Sequence, residues 1–242
     1  MKPAILPRSI PAFLFILKLA AGCATPGSTT LTPFTAPSPT EPPSDFIVPP
    51  GGAPTLDGVL APGEWDGARV ETFSDGSQLL LLVNDGYLYL GLRGSKAELT
   101  AGNVFLDRDG EVAILHSSAA LGTAIYSQGP ESWERTQDFD WRCREIDQSP
   151  AAVAARQAFL EQERWVAANA RMGTPNELEY MIEVDAPMVR LAVNLVRSSD
   201  PQTKPVWPPD LSDGTTLPTL GEYPAHLHFE PERWVTVGLP AD

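Results

Sequence analysis

The stretch from residue 78 to residue 115 limits the possible folds more than any other part of this chain. Gln78-Leu79-Leu80-Leu81-Leu82-Val83 and Tyr87-Leu88-Tyr89-Leu90-Gly91-Leu92 flank Asn84-Asp85-Gly86. Asn, Asp and Gly tolerate the positive φ angles of a tight hairpin turn, so the two runs are expected as paired strands. Val104-Phe105-Leu106 and Val112-Ala113-Ile114-Leu115 repeat the arrangement around Asp107-Arg108-Asp109-Gly110. Further on, Leu178, Tyr180, Ile182 and Val184 alternate with Glu179, Met181, Glu183 and Asp185, and Val189, Leu191, Val193 and Leu195 follow behind Pro187. Trp234-Val235-Thr236-Val237 supplies a closing strand. Short strands of period two joined by Gly, Pro and Asp turns predict an all-β fold, an antiparallel β-sandwich. One segment departs from that period. Ser149-Pro150 is a good N-cap and first-turn pair ahead of AAVAARQAFLEQERW, which predicts a single inserted helix over 150–163.

Composition sets outer bounds. At 242 residues, of which 43% are hydrophobic, the chain can build one large β domain with a proper core. Its 31 acidic and 17 basic side chains leave a net charge of −14, a field that repels phosphate backbones. Nucleic acid is therefore not expected as a partner.

The first 22 residues read as an export signal. Lys2 and Arg8 form a positive start, Ala12-Phe13-Leu14-Phe15-Ile16-Leu17 is apolar, and Leu19-Ala20-Ala21-Gly22-Cys23 ends it with small residues and a cysteine. The apolar run is too short to span a bilayer. This ending resembles the lipobox of bacterial lipoproteins, which implies lipidation of Cys23 and a membrane-anchored location facing outside the cytoplasm. Residues 23–54 are rich in Pro, Thr, Ser and Gly. They bury too little apolar surface to offset their ordering entropy and are expected as a disordered linker, with the sandwich occupying 55–242.

Few residues carry recognisable chemistry. Cys143, the second of two cysteines, reads as a buried small hydrophobe. His226 and His228 would share one face of a strand without a further ligand at metal spacing, and surface histidines are expected. Asp107-x-Asp109-Gly110-Glu111 holds half of a calcium-loop pattern and reads as a polar turn, leaving calcium possible through Asp57 or Asp85. Nucleophile-elbow, zinc-protease, phosphate-loop and dinucleotide motifs are absent, so a catalytic role is not expected.

Leu56-Asp57-Gly58-Val59-Leu60, then Gly63-Glu64-Trp65 and Ala68, then a hairpin ending Tyr87-Leu88-Tyr89-Leu90, resemble the opening of DOMON-like sandwiches, of the family 9 carbohydrate-binding module type. Glu179-Tyr180-Met181-Ile182 and Trp207-Pro208-Pro209 resemble later segments of that family. The resemblance implies a jelly-roll sandwich and a non-catalytic saccharide-binding role. Some DOMON domains bind haem through Met and His, but no Met here is spaced to pair with a His. Sugar binding needs flat aromatic faces and hydroxyl partners. Trp65, Trp165 and Trp234 are expected in packing, whereas Trp133, Trp141 and Trp207 lie in less regular stretches. Trp207, stiffened by two prolines, and Trp141, set between Asp140 and Arg142, are the expected walls of a sugar slot. The competing expectations are that both indoles plug the sandwich ends, and that the protein is a structural or protein-interaction lipoprotein without a ligand site.

Overall fold

The computed structural model describes residues 46–108, 110–143, 149–169, 176–217 and 223–239. The export signal, Cys23, the linker up to residue 45, Asp109 and Met172 lie outside the described residues, as does the side chain of Cys143. In chain order the elements are β1 Phe46–Ile47, β2 Arg69–Thr72, β3 Gln78–Asn84, β4 Tyr87–Arg93, β5 Thr100–Arg108, β6 Glu111–Ser117, β7 Ala120–Gln128, β8 Trp133–Gln137 and β9 Arg142–Cys143. Then come α1 Pro150–Glu163, β10 Trp165–Asn169, β11 Glu177–Glu183, β12 Met188–Arg197, β13 Val206–Trp207, β14 His226–Leu227 and β15 Val235–Gly238. No helix among the described residues is long and apolar enough to cross a membrane.

Two sheets form the expected sandwich. The larger runs β1-β15-β12-β5-β6-β7-β8-β14, with β13 beside β12 and β9 beside β7; the smaller runs β10-β11-β4-β3-β2. Pairing is antiparallel throughout except between β1 and β15. The β3–β4 turn forms as its residues predict, with φ of 47° at Asp85 and 75° at Gly86. The helix starts where Ser149 accepts a hydrogen bond from the Ala152 amide at 3.2 Å. It stops at Arg164, whose φ of 63° turns its own amide back to Leu160 at 2.7 Å.

Three apolar layers hold the sheets. The central one packs Leu79, Leu81, Leu88 and Leu90 of the small sheet against Val104, Leu106, Leu191 and Val193 of the large one. Each such leucine, fully buried, stabilises the fold by about 1.5–3 kcal/mol. The continuous run of β3 is explained by the second layer. Leu80 and Leu82 point to the opposite face and lie under Leu60 and Trp65, so both faces of this strand are covered. The third layer coats the outer face of the large sheet, where Phe105, Ile114 and Tyr126 pack against Leu211, Tyr223, Phe229 and Trp234.

One expected boundary moves. The segment assigned to a disordered linker through residue 54 belongs to the fold from Phe46 onward. Phe46 pairs with Val237, Val48 is fully buried, and Pro50 bridges to Val83. The physical reason lies in Phe46-Ile47-Val48, three consecutive apolar residues that break the Pro, Thr and Ser composition and can be buried at a sheet edge.

Candidate ligand-binding site

The site regions are best built outward from β7, because both of its faces are used. Leu121 and Thr123 face the small sheet, whereas Gly122, Ala124 and Tyr126 face out. Beside β7 runs the segment 138–143, which alternates in the same way. Phe139 and Trp141 swing to the outer face and lie on Gly122, where an added Cβ would stand 2.9 Å from Trp141 Cε3 and 3.0 Å from Phe139 Cδ1. Only glycine permits that approach. Asp140 turns to the inner side, and Arg142 lies over the Phe159 ring of α1 at 5.8 Å.

The expected slot is therefore divided. Trp141 is 49% exposed and presents an indole face to solvent. Its other side stacks on Phe139, with ring centres 4.4 Å apart and planes 13° off parallel, and His116 meets it edge-on at 5.1 Å. Asp140 and Arg142 pair with each other at 3.4 Å on the opposite side of the sheet edge and do not face that indole. Trp207 is not a wall at all. It is 3% exposed, pairs with Val193 through β13, and packs edge-on against Phe46 at 5.3 Å. Trp133 is likewise buried, its indole N–H donating to the Phe229 carbonyl at 3.0 Å. Both act as packing residues because the strands that hold them turn them toward the apolar layers. Trp65, Trp165 and Trp234 are buried as expected.

Behind Trp141 a polar row crosses the outer face of the large sheet, unannounced by any sequence motif. The Asn103 amide nitrogen donates to Asn194 at 2.7 Å, so its oxygen is left to accept from His116 Nδ1 at 2.8 Å. Asn194 in turn donates to the Thr215 carbonyl at 2.5 Å. Burial, helped by the nearby Lys204 charge, lowers His116 to about 4, so the ring is neutral at ordinary pH. Burial also brings Lys204 down to about 8. The strand register sets His116, Asn103 and Asn194 side by side, which sequence spacing alone does not reveal.

On the inner side the large sheet overhangs the small one. The uncovered strip forms a cavity of about 610 Å³, floored by Leu106, Ala113, Ile125 and Ile182 and rimmed by Arg108, Gln137, Asp138, Asp140, Gln162 and Arg164. Trp165 closes its deep end, with its indole N–H on Thr123 at 2.8 Å. Apolar floors with convergent polar groups are the general form of small-molecule sites.

The opening motif has a different use. Glu179 accepts from the amides of Asp57 at 3.0 Å and Gly58 at 2.7 Å and from the Trp65 indole at 3.3 Å. Glu177 accepts from the Leu60 amide at 3.0 Å and from Arg93 at 2.7 Å. These carboxylates fasten residues 57–65 to the sheet. The remaining polar candidates sit apart from both site regions. His228 pairs with Glu230 at 3.2 Å, His226 is exposed, and Asp107 is held by Arg190 at 3.0 Å. Among the described residues no three His, Cys, Asp or Glu side chains gather at metal-binding range.

Compared with models of known protein families, with curated proteins and with solved structures, the chain matches none.

Proposed function

We propose that this chain is an exported lipoprotein of DOMON-like type, anchored through lipid on Cys23, whose sandwich binds carbohydrate without catalysing a reaction. The observation that carries the reading is the Trp141 indole. It is the only half-exposed tryptophan among the described residues, and it is held flat by Phe139 behind it and Gly122 beneath it. A ring fixed in this way loses little freedom when the C–H face of a pyranose stacks on it. A second reading, a structural or protein-interaction lipoprotein without a ligand site, draws on the other five indoles, all of which are buried.

One experiment separates them. The full chain carrying Cys23→Ser is expected in the soluble fraction, where it can be applied to a glycan array. Binding of at least one glycan, weakened about tenfold by Trp141→Ala with the melting temperature kept, supports the saccharide reading. No bound glycan, or a loss that follows only from early melting, removes it. A Cys23→Ser chain that stays with membranes removes the anchor.

A further inference from the structure

The overhang cavity holds a feature that the saccharide reading does not use. Arg108 and Arg164 lie on this side of the sandwich, and Arg190, which faces outward beside Thr236, meets them in a neighbouring cavity at the sheet edge. Arg164 pairs with Glu183 at 2.9 Å and with Asp185 at 3.1 Å, and Arg190 pairs with Asp107 at 3.0 Å. Arg108 differs. Its guanidinium donates to the Glu183 carbonyl at 2.9 Å, and no carboxylate among the described residues lies within ion-pair distance of it. Together with Arg164 it lines both the 610 Å³ cavity and a neighbouring one of about 370 Å³. The Asp185 and Glu183 charges act on Arg108 from beyond ion-pair distance, but desolvation outweighs them, so part of its hydration cost is left unreturned.

We propose that the overhang is a binding pocket for a small amphipathic carboxylate, whose apolar body lies on the Ala113–Ile125 strip and whose carboxylate pairs with Arg108. The planar guanidinium suits a carboxylate in two parallel hydrogen bonds, and the low-dielectric floor strengthens that pair. A volume of about 610 Å³ falls within the ~300–1,000 Å³ of small-molecule sites. Of the four acids in the lining, Asp138 pairs with Arg135 at 3.1 Å and Asp140 with Arg142 at 3.4 Å, whereas Glu111 and Glu163 accept from neutral partners, Ser127 at 3.2 Å and Gln162 at 3.1 Å. The arginine end of the cavity is therefore where an anion would settle. Burial lowers the Arg108 pKa, the same desolvation that an arriving carboxylate would offset. This pocket and Trp141 lie on opposite faces of the large sheet, so it stands or falls independently of the saccharide reading.

The test is calorimetric titration of the full Cys23→Ser chain with octanoate and, separately, with 1-octanol. Octanoate is expected to bind saturably and about tenfold more tightly than octanol, the margin of a charge-assisted pair. Arg108→Gln should bring octanoate down to the level of octanol and leave octanol unchanged. Ala113→Phe, which fills the strip, should weaken both. Equal binding of acid and alcohol, no binding of octanoate, or octanoate binding untouched by Arg108→Gln would overturn the proposal. The acid–alcohol comparison on the parent chain needs no further variant, so a misfolded variant leaves the test intact.

Discussion

The two outer faces of the sandwich are covered by irregular chain, and in each cover one buried carboxylate takes an indole N–H. On the small sheet the carboxylate is Glu179, a strand residue that reaches outward to the amides of Asp57 and Gly58 and to Trp65. On the large sheet it is Asp213, a residue of the cover itself. Asp213 accepts from the Thr215 amide at 3.0 Å, the Glu230 amide at 2.9 Å and the Trp234 indole at 3.1 Å. The first device bolts a loop to the sheet. The second ties a loop to itself, while neutral side-chain hydrogen bonds from Asn194 and Trp133 and apolar contact hold it to the sheet. Each face also seats a tryptophan on a glycine: Trp65 on Gly91, buried, and Trp141 on Gly122, half-exposed. The same parts give a closed wall on one side and an accessible ring on the other, because the bolt closes over Trp65 and, among the described residues, nothing comparable closes over Trp141.

Removing the two carboxylates is the hardest test of this contrast. Glu179→Ala leaves three donors without an acceptor, two of them buried, and should cost about 3–5 kcal/mol. Amide hydrogen exchange should then rise across 57–65 and stay protected across 213–217 and 223–234. Asp213→Ala should reverse that pattern. Exchange rising over both covers in either variant would show that they are one cooperative unit.

The second test uses pH. Burial pushes Glu179 up to about 7 against the three donors that pull it down. The folded state thus holds this proton more tightly than the unfolded chain, whose value is near 4.5. The stability it contributes is fully present below about 4.5 and is lost as pH rises through 7, with an upper bound of ~3 kcal/mol. His116, lowered to about 4, acts in the opposite sense over part of that window, so the parent is read against Glu179→Gln: the difference in melting temperature, parent minus variant, should fall as pH rises from 4.5 to 7. A difference that stays constant with pH would contradict the assignment.

The smallest effect comes from the glycines. An added Cβ at Gly91 would stand 2.8 Å from Leu60 and 3.1 Å from Trp65 in a closed layer. Gly91→Ala should destabilise by about 2 kcal/mol and Gly122→Ala by about 1 kcal/mol, since Trp141 can swing into solvent. Calorimetric melting of the two variants ranks them, and a larger loss at Gly122 would mean the Trp141 stack is more rigid than its exposure implies.

Much of the frame could be read in advance, for local reasons. The Asn84-Asp85-Gly86 turn, the alternation of β11 and β12, and the Ser149-Pro150 start of α1 each carry their own conformational instruction. Other strands do not. In β7, Ala120-Leu121-Gly122-Thr123-Ala124 mixes small residues on both faces, because its outer face is finished by aromatics from distant chain. The site was harder for the same reason. Trp207 stands before two prolines like a loop platform, yet one ladder with β12 turns it inward. Trp141 could have been separated from Asp140 and Arg142 by the period-two rule, since neighbours in an extended segment point to opposite sides. Arg108 became visible only once the partners of its neighbours were known.

The segment entering the domain has a mechanical consequence. Phe46–Ile47 adds to the large sheet beside β15, and the Val48 amide donates to Gly238 at 3.1 Å. The next residues cross to the other sheet, where the Pro49 carbonyl accepts from Val83 at 3.0 Å and the Gly51 amide donates to Val83 at 3.0 Å. A pull on the chain ahead of Phe46 therefore meets both sheets within a few residues. Tension is shared by hydrogen bonds loaded side by side, with the buried Phe46 and Val48 as a wedge behind them. A domain tethered at this point should transmit force across its whole width before any single edge strand peels away.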